Sequence, residues 1–554
     1  MPGGAHMYDY DGRGRKALHR FRFDTANALQ CQRELLKEII HAGKDTAFGK
    51  KYNFANICSI KEYQDRVPVT VYEDYRTYIE REIPTGNKCA YYSVSSGNTG
   101  EAKLIPVSRK ATEIYETFAC DAVCGMINEY YAGMLPKKIH SKIFHTGEFR
   151  KNEVRGLPAG IRSSAVYQAM LERGEFPFDN YTSPKEVLFP DDRQDLIYAK
   201  ARFALADRNV TCIHSVFVHR IVNVFEYIEK NWDTLLYDIG HGTISKELLP
   251  DEKWRRRLAP LLKPLPERAA ELRAIDKAGL STDMFKKIWK NLLYVIVIGG
   301  SSFYQYNEKF YRYLGDIPVH YFVYASSEGL LGIANGLNRV DEYILVPEAC
   351  FFEFIPLDED EKRKSPVKDI STVICGRRYE IVITNLSGFY RYLLGDVIEI
   401  AGFYGESPLV RFCYRNNQFI NLAGEKTNTE QMDNAVHEFS EKNGLGFVQW
   451  CMYGEIADGS GRYIFLYEAE NEGDGAVSFD ECMKNCNLDY MDCRSNGELI
   501  KAVSCRTRPG SFAEYGKYME SKGAETGQAK PVKLLDGREK IDFFNKYIES
   551  VDKI

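Results

Sequence analysis

The sequence feature that most constrains the fold is the alternation of short apolar segments with longer amphipathic ones between residues 8 and 412. The apolar segment NLLYVIVIGGSS, residues 291–302, is followed by a helical pattern and then by a second apolar segment, HYFVYASSEG, residues 320–329. After the strand-like TCIHSVF, residues 218–232 collect apolar side chains on one helical face (Val218, Ile221, Val222, Phe225 and Ile228). Strands that alternate with such helices predict a large α/β domain whose sheets are covered by helices.

A second, smaller domain is predicted after residue 412, where the pattern changes to shorter units. Three capping boxes indicate helix starts, each with a serine or threonine followed three residues later by glutamate: Thr427 to Glu430, Ser478 to Glu481 and Ser511 to Glu514. The strand-like segments FVQWCMY, RYIFLYEA and LIKAVSC occur in the same region. We therefore predict a large domain over residues 8–412 and a small mobile α+β lid domain over residues 413–554.

Composition and charge favour a small-molecule site over a nucleic-acid or membrane partner. The 554 residues include 73 Lys plus Arg and 78 Asp plus Glu, so the formal charge of −5 provides no overall basic field for nucleic acid. The strongly apolar stretch from Leu292 to Ile298 is far shorter than the ~20 residues that cross a bilayer, and the sequence begins with no apolar secretion signal. We expect a cytoplasmic protein, and we expect a monomer although no motif sets the oligomeric state.

Cysteines and histidines are interpreted as structural. Cys482, Cys486 and Cys493 share a helical spacing with Phe479 and Tyr490 and lack the paired CxxC of a zinc site, which predicts core packing. His140 with His145, and His214 with His219, form no HExxH motif and have no nucleophile signature nearby. We expect these histidines to be satisfied within the core.

The sharpest local signal is YYSVSSGNTGEAKLIP, residues 91–106, in which a strand-like lead runs into a glycine- and hydroxyl-rich loop followed by a lysine. Backbone N–H groups in such a loop can close around phosphate oxygens, and a lysine can neutralise their charge. The spacing is not that of a GxxxxGK[ST] loop. A surface turn is the alternative; the candidate phosphate ligands are Ser95, Ser96, Gly97, Asn98, Thr99 and Lys103.

Two acidic residues follow predicted strands further along the chain. YASSE, residues 324–328, follows VHYFVY and ends in Glu328, while YRYLLGDV, residues 390–397, follows YEIVITN and contains Asp396. A carboxylate at a strand end suits a hard Mg²⁺ ion, and it also suits a pair of ribose hydroxyls. Seen alone, Glu328 could be a solvated turn acid and Asp396 a turn former after Gly395.

Taken in order, these motifs resemble the adenylate-forming superfamily, whose loop reads [ST][ST]GT[ST]GxxK, with Asn98 here in place of the usual threonine. The motif sequences are most similar to those of the plant auxin-responsive Gretchen Hagen family of acyl-acid amido synthetases. That likeness covers nearly the whole chain and rests on RVPVTVYEDYRTYIER, GLPAGIRSS, YTSPKEVLFPDDRQ, YASSEG, FFEFIP, GFYRYLLGDV and RPGSFAEYGKYMESKGAETGQAKPVK.

The resemblance implies a role for each candidate residue. The loop and Lys103 would hold phosphates, Tyr324, Ala325, Ser326 and Ser327 would lie beside adenine, Glu328 would hold Mg²⁺, and Asp396 would bind ribose. Lys426 and Lys530 would be catalytic, and Arg415 and Asn417 would form the hinge between the domains. Phe118, Arg162 and Ser164 would contact the acyl substrate.

The predicted function is therefore ATP-dependent amide formation. The enzyme would adenylate a small carboxylic acid, release pyrophosphate, and transfer the acyl group to the amine of an amino acid. An acyl-CoA ligase that uses the same adenylate, or a nucleotide-binding regulatory protein without turnover, are the alternatives. The resemblance permits indole-acetate, jasmonate-like and benzoate-like acids, and the sequence does not rank them.

Overall fold

Helices and strands alternate along the part of the chain that the computed structural model describes. The described residues are 10–95, 103–131, 142–149, 152–192, 196–275, 282–299, 304–357, 363–415, 419–423, 425, 427–457, 460–495, 497–522, 532–535 and 537–551. The helices in chain order are α1 (Tyr10–Ala26), α2 (Ala28–Gly43), α3 (Ala47–Lys51), α4 (Ile60–Arg66), α5 (Tyr72–Glu80), α6 (Arg109–Tyr115), α7 (Val123–Tyr130), α8 (Arg162–Glu172), α9 (Lys185–Leu188), α10 (Ile197–Ala206), α11 (Val218–Lys230), α12 (Trp232–His241), α13 (Glu252–Leu258), α14 (Pro266–Arg273), α15 (Met284–Ile288), α16 (Tyr304–Leu314), α17 (Thr429–Lys442), α18 (Phe479–Cys486), α19 (Leu488–Ser495), α20 (Ser511–Ser521) and α21 (Arg538–Asn545).

The chain also contains short irregular helices and β-strands. Turns of 3₁₀ helix lie at Phe54–Asn56, Phe178–Asn180 and Ala259–Leu261, and a π-helical segment, Glu116–Ala122, joins α6 to α7. The strands are β1 (Cys89–Ser95), β2 (Lys103–Ser108), β3 (Ile143–His145), β4 (Asn152–Val154), β5 (Leu157–Gly160), β6 (Cys212–Phe217), β7 (Tyr294–Ile298), β8 (Val319–His320), β9 (Val323–Ala325), β10 (Leu330–Ala334), β11 (Glu342–Leu345), β12 (Cys350–Pro356), β13 (Lys368–Asp369), β14 (Arg378–Asn385), β15 (Tyr392–Tyr404), β16 (Ser407–Arg415), β17 (Phe419–Ile420), β18 (Thr427–Asn428), β19 (Phe447–Ala457), β20 (Ser460–Ala469), β21 (Val503–Thr507) and β22 (Ile548–Val551).

A parallel sheet with the order β3-β6-β7-β8 forms one part of the large domain. Its strands are short apolar runs because both faces are covered, as parallel strands require. Helix α11 packs on β6 through the side chains that the sequence pattern predicted, and Val218, Ile221, Val222, Phe225 and Ile228 are all buried. The α/β character predicted for the large domain is confirmed.

Two further sheets lie in the same domain. The first has the order β2-β1-β5-β4, and the second is an antiparallel sheet with the order β13-β12-β14-β15-β16-β11-β10-β9. One continuous core of buried apolar side chains, running from Ala17 to Val410 in sequence, joins these sheets to the parallel sheet and to the helices around them. The sheets are therefore parts of one folding unit, and residues at their edges keep fixed relative positions.

The C-terminal unit is a three-layer sandwich around the mixed sheet β19-β20-β21-β22. Alternate residues of β19 and β20 enter opposite layers, as the two-residue period of a strand requires. On one face Met452 and Phe465 join α17 and α18 in a core, and on the other face Cys451 and Leu466 join α20 and α21. This small domain, separate in its cores from the large one, agrees with the predicted α+β unit.

The capping pattern was correct at one of its three predicted sites. Ser478 caps α18 as expected, its side chain accepting a hydrogen bond from the Glu481 N–H. Helix α17 is instead capped by Asn428, which exchanges side-chain to backbone hydrogen bonds of 2.9 Å with Gln431. The Thr427 hydroxyl is used elsewhere, since it bonds Tyr463 and Asn487 in the core. Ser511 is the first residue of α20, and Gly510, at φ 85°, takes the capping position.

Cysteines behave as small core residues in the described parts of the chain. Phe479, Cys482 and Tyr490 are buried, and Cys486 and Cys493 pack against the same core, although two helices rather than one carry them. Among the described residues, no group of three or more His, Cys, Asp or Glu side chains could hold a metal ion. In those same residues, no helix combines the length and the apolar composition needed to cross a membrane.

Ion pairs connect the small domain to the large one. The Lys309 ammonium on α16 lies 2.6 Å from Glu226 on α11 and 2.9 Å from Glu470, which follows β20. Arg378 at the start of β14 lies 3.4 Å from Glu430 on α17. These side chains are partly exposed, so each pair contributes little to the free energy of unfolding, about 0 to 1 kcal/mol.

Candidate active site

Strand β9 delivers the YASSE segment to a tight, half-buried turn. The Ser326 N–H donates to the Gly329 carbonyl at 2.9 Å, and the Ser326 hydroxyl accepts from the N–H groups of Glu328 and Gly329 at 3.2 and 3.3 Å. The Asn385 side chain at the end of β14 donates to the Glu328 carbonyl at 2.9 Å. The turn that carries Ala325, Ser326, Ser327 and Glu328 is therefore fixed from within and from the neighbouring sheet.

The Glu328 carboxylate is oriented by a tyrosine of the second acidic motif. The Tyr392 hydroxyl donates to Oε1 of Glu328 at 3.0 Å. Burial, together with this carboxylate, raises the pKa of Tyr392, so the phenol stays protonated and continues to donate. Two motifs are therefore in contact: Glu328 of YASSE and Tyr392 of YRYLLGDV are 64 residues apart in sequence.

Asp396 is buried and held on both carboxylate oxygens. The Tyr324 hydroxyl donates to Oδ2 at 2.9 Å, and Nε of Arg415 donates to Oδ1 at 2.6 Å. Asp396 and Arg415 are directly paired in register on β15 and β16, which places their side chains on the same face of the sheet. The Asp396 carboxylate raises the pKa of Arg415, so the guanidinium keeps its charge.

The two arms of the candidate phosphate loop are described, and the loop itself is not. Strands β1 and β2 are antiparallel, with Ser95 paired to Lys103 in register. The Lys103 ammonium lies 5.1 Å from the centroid of the Tyr72 ring, within the range of a cation–π contact. Ser96, Gly97, Asn98 and Thr99 lie outside the described residues.

Helix α5 fastens the strand that follows this loop and the start of the YRYLLGDV motif through two tyrosines. The Tyr72 hydroxyl accepts from the Leu104 N–H at 3.2 Å and donates to the Leu104 carbonyl at 3.3 Å. One helical turn away, the Tyr75 hydroxyl makes the same pair of bonds with the backbone of Tyr390, at 2.8 and 2.9 Å. The spacing of three residues in YEDYRTY could have signalled this shared helical face, but nothing in the sequence indicated the backbone partners.

Arg162, the first residue of α8, is buried close to this site. Its Nη2 donates to the Ala111 carbonyl at 3.3 Å, and its Nη1 has no hydrogen-bond partner among the described residues. Burial lowers the pKa of the Arg162 guanidinium, and the Glu328 carboxylate is one of the nearby groups that counteract the shift. A buried cation with an unused donor is costly unless an anion meets it.

The other predicted acyl contacts are placed differently. Ser164 is buried on α8, two residues after Arg162. Phe118, in the π-helical segment, is fully buried, and its described contacts are with α1, where its ring lies 6.2 Å from Phe21 and 5.4 Å from the Arg20 guanidinium. A direct contact between Phe118 and the acyl substrate therefore stays a prediction.

The residues predicted beyond the large domain are only partly described. Arg415 ends β16 and pairs with Asp396, a contact that the hinge assignment did not anticipate. Asn417, Lys426 and Lys530 lie outside the described residues. Their assigned roles remain predictions.

Comparison with known proteins gives the family and the fold. Models for the N-terminal, central and C-terminal domains of the GH3 family match residues 17–319, 343–415 and 430–539. The fold is similar to that of AtGH3.15 acyl acid amido synthetase in complex with 2,4-DB, with a TM-score of 0.82, 22% identity, and coverage of 97% of each chain. It is also similar, with a TM-score of 0.50, to a 2-hydroxyisobutyryl-CoA ligase in its postadenylation state, at 14% identity over 93% of this chain and 90% of that one.

The fold is thus that of an adenylate-forming enzyme. The chain belongs to the GH3 family. Curated relatives include indole-3-acetic acid-amido synthetase GH3.4 of Arabidopsis thaliana, 27% identical over 94% of this chain and 93% of that protein. Indole-3-acetic acid-amido synthetase GH3.8 of Oryza sativa subsp. indica is also 27% identical, over 93% of this chain and 91% of that protein.

Proposed function

We propose that this protein is an ATP-dependent acyl-acid amido synthetase. The observation that carries the proposal is the Asp396 carboxylate fixed between Tyr324 and Arg415, next to the turn that presents Glu328. This arrangement gathers, from three separate segments of a GH3 family chain, an acid suited to ribose and an acid suited to a metal–phosphate group.

The reaction has two steps, and in each step one bond forms and another breaks at a single atom. In the first, an oxygen of the substrate carboxylate bonds to the α-phosphorus of ATP, and the bond to pyrophosphate breaks. In the second, the amine of an amino acid bonds to the acyl carbon, the bond to AMP breaks, and the amine loses a proton. Both steps move negative charge onto phosphate oxygens, so fixed cations near those oxygens lower the barrier.

Residues of this chain are assigned to parts of that reaction. Asp396 binds the ribose hydroxyls, and the turn from Tyr324 to Ser327 lies beside the base. The phosphate loop with Lys103 holds the phosphates, Lys426 and Lys530 neutralise developing charge, and Asn417 lies in the hinge between the domains. The unused Nη1 of buried Arg162 supports a contact with the acyl carboxylate, with Ser164 on the same helix.

A magnesium ion fits the donor chemistry at Glu328. Mg²⁺ takes oxygen ligands and is held in such sites by one or two carboxylates together with substrate phosphates, where it neutralises phosphate charge. The Tyr392 hydroxyl donates to Oε1 and so orients the carboxylate. Glu328 is the residue that we assign to hold the ion.

Family membership favours an amine over CoA as the acyl acceptor. The two relatives above are named as amido synthetases, and the amido synthetase structure matches more of the fold than the CoA ligase structure does, with TM-scores of 0.82 and 0.50. A thiol acceptor would follow the same first step, so only product analysis separates the two.

Acid-dependent exchange of pyrophosphate into ATP tests the proposed function. We expect exchange with at least one member of a panel of aryl, indolyl and aliphatic acids, and a loss of about a hundredfold in Lys530→Ala, because a cation at the reacting phosphate is removed. Lys522→Ala, which changes an exposed lysine of the same domain, is the matched control. Mass spectrometry after addition of amino acids should then show an amide. Absence of exchange with every acid, in a protein that binds ATP, would contradict the proposal.

Tyr72 positions Lys103, so substitutions of Tyr72 are expected to raise KM for ATP, to different extents in two variants. Tyr72→Phe keeps the ring over the ammonium but removes both hydrogen bonds to Leu104, and Tyr72→Leu removes the ring as well. With about 1 kcal/mol per hydrogen bond and about 0.5 to 1 kcal/mol for the cation–π contact, we expect KM for ATP to rise by up to about thirtyfold in the phenylalanine variant and by up to about a hundredfold in the leucine variant. KM for the acid should change little. Thr77→Ala, on the exposed side of α5, is the control. Equal changes in both KM values would point to general loss of structure.

A further inference from the structure

The turn between β14 and β15 contacts three other segments of the candidate site. It comprises residues 385–389 and is named the 385–389 turn. The amide of its first residue, Asn385, bonds in two directions: Oδ1 accepts from the N–H groups of Ser387 and Phe389 at 2.9 and 3.1 Å, and Nδ2 donates to the Glu328 carbonyl at 2.9 Å. Asn385 is buried, so one amide both closes the turn and joins it to the YASSE segment.

The same turn holds the strand that leads out of the candidate phosphate loop. The Ser387 hydroxyl accepts a hydrogen bond from the N–H of Ser108, the last residue of β2, at 3.1 Å. Both serines are buried, so water does not compete for this bond. Because β2 begins at Lys103, the 385–389 turn is bonded to the Glu328 segment on one side and to the Lys103 strand on the other.

Two glycines bring the turn into backbone contact with the segment that enters β1. Gly388 has φ 100°, and a Cβ on it would lie 2.7 Å from the carbonyl carbon of Thr85. A Cβ on Gly86 would lie 2.6 Å from Cα of Gly388, and the Asn87 side chain donates to the Leu386 carbonyl at 2.9 Å. Only glycine permits so close an approach, so the turn has a fixed distance to both strands of the phosphate-loop hairpin.

Glu328 is held by the β14–β15 hairpin at two points. Asn385, before the turn, bonds the Glu328 carbonyl, and Tyr392, after it, bonds the Glu328 carboxylate. The first bond fixes where the residue lies, and the second fixes where its side chain points. A carboxylate and phosphates that share Mg²⁺ must be held at a set separation, because this ion demands near-ideal octahedral geometry.

We propose that Asn385 is a positioning residue for Mg²⁺–ATP: through the 385–389 turn it sets the distance between Glu328 and the phosphate-loop hairpin. The inference rests on the proposed function, in which Glu328 holds the ion, and it adds the residue that places Glu328. Asn385 acts through the Glu328 backbone, so it is assigned no contact with the ion. Loss of its amide should therefore weaken the binding of Mg²⁺–ATP and leave the binding of the acid unchanged.

Asn385→Ser and Asn385→Ala test this role. Serine keeps a neutral acceptor for the Ser387 N–H but is too short to reach the Glu328 carbonyl, whereas alanine loses both bonds. We expect the Mg²⁺ concentration at half-maximal exchange rate to rise about threefold to tenfold in both variants, the factor that one hydrogen bond contributes. KM for the acid should change by less than about twofold, because the acid is not bound through Glu328.

Asn443→Ser is the matched control in the small domain. Asn443 is also a buried asparagine that joins two segments: its Nδ2 donates to the carbonyls of Phe439 and Val477 at 2.8 and 3.0 Å, and its Oδ1 accepts from the Val477 N–H at 3.0 Å. This variant should lose a similar amount of stability, measured as Tm, and keep the wild-type Mg²⁺ dependence. The comparison separates the positioning of Glu328 from a general loss of structure.

A binding measurement separates this inference from the proposed function. Without any acid, the rise in Tm that ATP causes should require about threefold to tenfold more Mg²⁺ in Asn385→Ser than in the wild-type protein. If no acid supports exchange, the proposed function fails while this measurement still tests Asn385.

A double variant shows whether Asn385 acts through Glu328. In a Glu328→Gln background, Asn385→Ser should shift the Mg²⁺ requirement by less than about twofold further, since both changes affect one contact. A full further shift in that background would overturn the inference. An unchanged Mg²⁺ requirement in Asn385→Ser, or an equal shift in Asn443→Ser, would overturn it as well.

Discussion

Asp396→Asn is expected to lower kcat/KM for ATP by about a hundredfold to a thousandfold. The amide removes the charge that would accept two ribose hydroxyls, and hydrogen bonds to a charged group contribute about 1.5 to 3 kcal/mol each. It also leaves the Arg415 guanidinium without its anion and alters the bond from Tyr324. The quantities to measure are the exchange rate as a function of ATP and the dissociation constant of ATP.

The sheet itself offers a matched control for this substitution. Glu399 and Arg411 are a second acid–arginine pair in register on the same two strands, with 3.0 Å between Oε1 and Nη1, but they are more exposed. Glu399→Gln should therefore change kcat/KM by less than twofold, since exposed pairs contribute about 0 to 1 kcal/mol to stability. Similar losses in the two variants would show that Asp396 serves the sheet and not the nucleotide.

Glu328→Gln is expected to cause the second large loss, about a hundredfold in kcat. A neutral amide oxygen is a poor ligand for Mg²⁺ compared with a carboxylate, so the Mg²⁺ concentration at half-maximal rate should also rise. Tyr392→Phe, which removes only the hydrogen bond to Oε1, should cause a loss of about threefold to tenfold. The measurements are exchange rates over a Mg²⁺ titration and, without turnover, the Mg²⁺ dependence of ATP binding.

Glu342→Gln is the control for this pair of variants. Glu342 lies on β11 of the same sheet, and its described ion pair is with the partly exposed Arg411. We expect its Mg²⁺ dependence to match that of the wild-type protein. A normal Mg²⁺ titration in Glu328→Gln would refute the assignment of the ion to this residue.

The sequence predicted the two-domain fold class and the order of the acidic motifs because these depend on local patterns. Apolar periodicity placed α11, and Glu328 lies just after β9, as the apolar pattern indicated. The prediction of a strand end was wrong for Asp396, which lies inside β15 and is paired in register with Arg415 on β16. Sequence alone did not indicate that Tyr324 reaches Asp396 or that Tyr392 reaches Glu328. Those contacts depend on the pairing of distant strands, which the local pattern does not determine.

Arg391 shows that a conspicuous charged residue in a motif can hold segments of the fold together. It is the most conspicuous charge in YRYLLGDV, yet its guanidinium is buried against Glu353 of FFEFIP at 3.0 Å and bonds the carbonyls of Gln64 and Val67. Its backbone has φ 50°, in the left-handed region. Arg391 therefore joins two motifs to the N-terminal segment, while the less conspicuous Tyr392 and Arg415 contact the candidate catalytic acids.

With Asp396 assigned to ribose, as proposed, the position of Arg415 would link nucleotide binding to the arrangement of the two domains. It is the last residue of β16, immediately before the chain leaves for the small domain, and its partner is the acid that we assign to ribose. If bound ribose hydroxyls donate to the Asp396 carboxylate, the hydrogen bond between that carboxylate and Arg415 changes. This bond lies where the chain passes from one domain to the other. Binding equilibria of this kind are reciprocal, so whichever domain orientation the nucleotide favours must favour the nucleotide by the same factor.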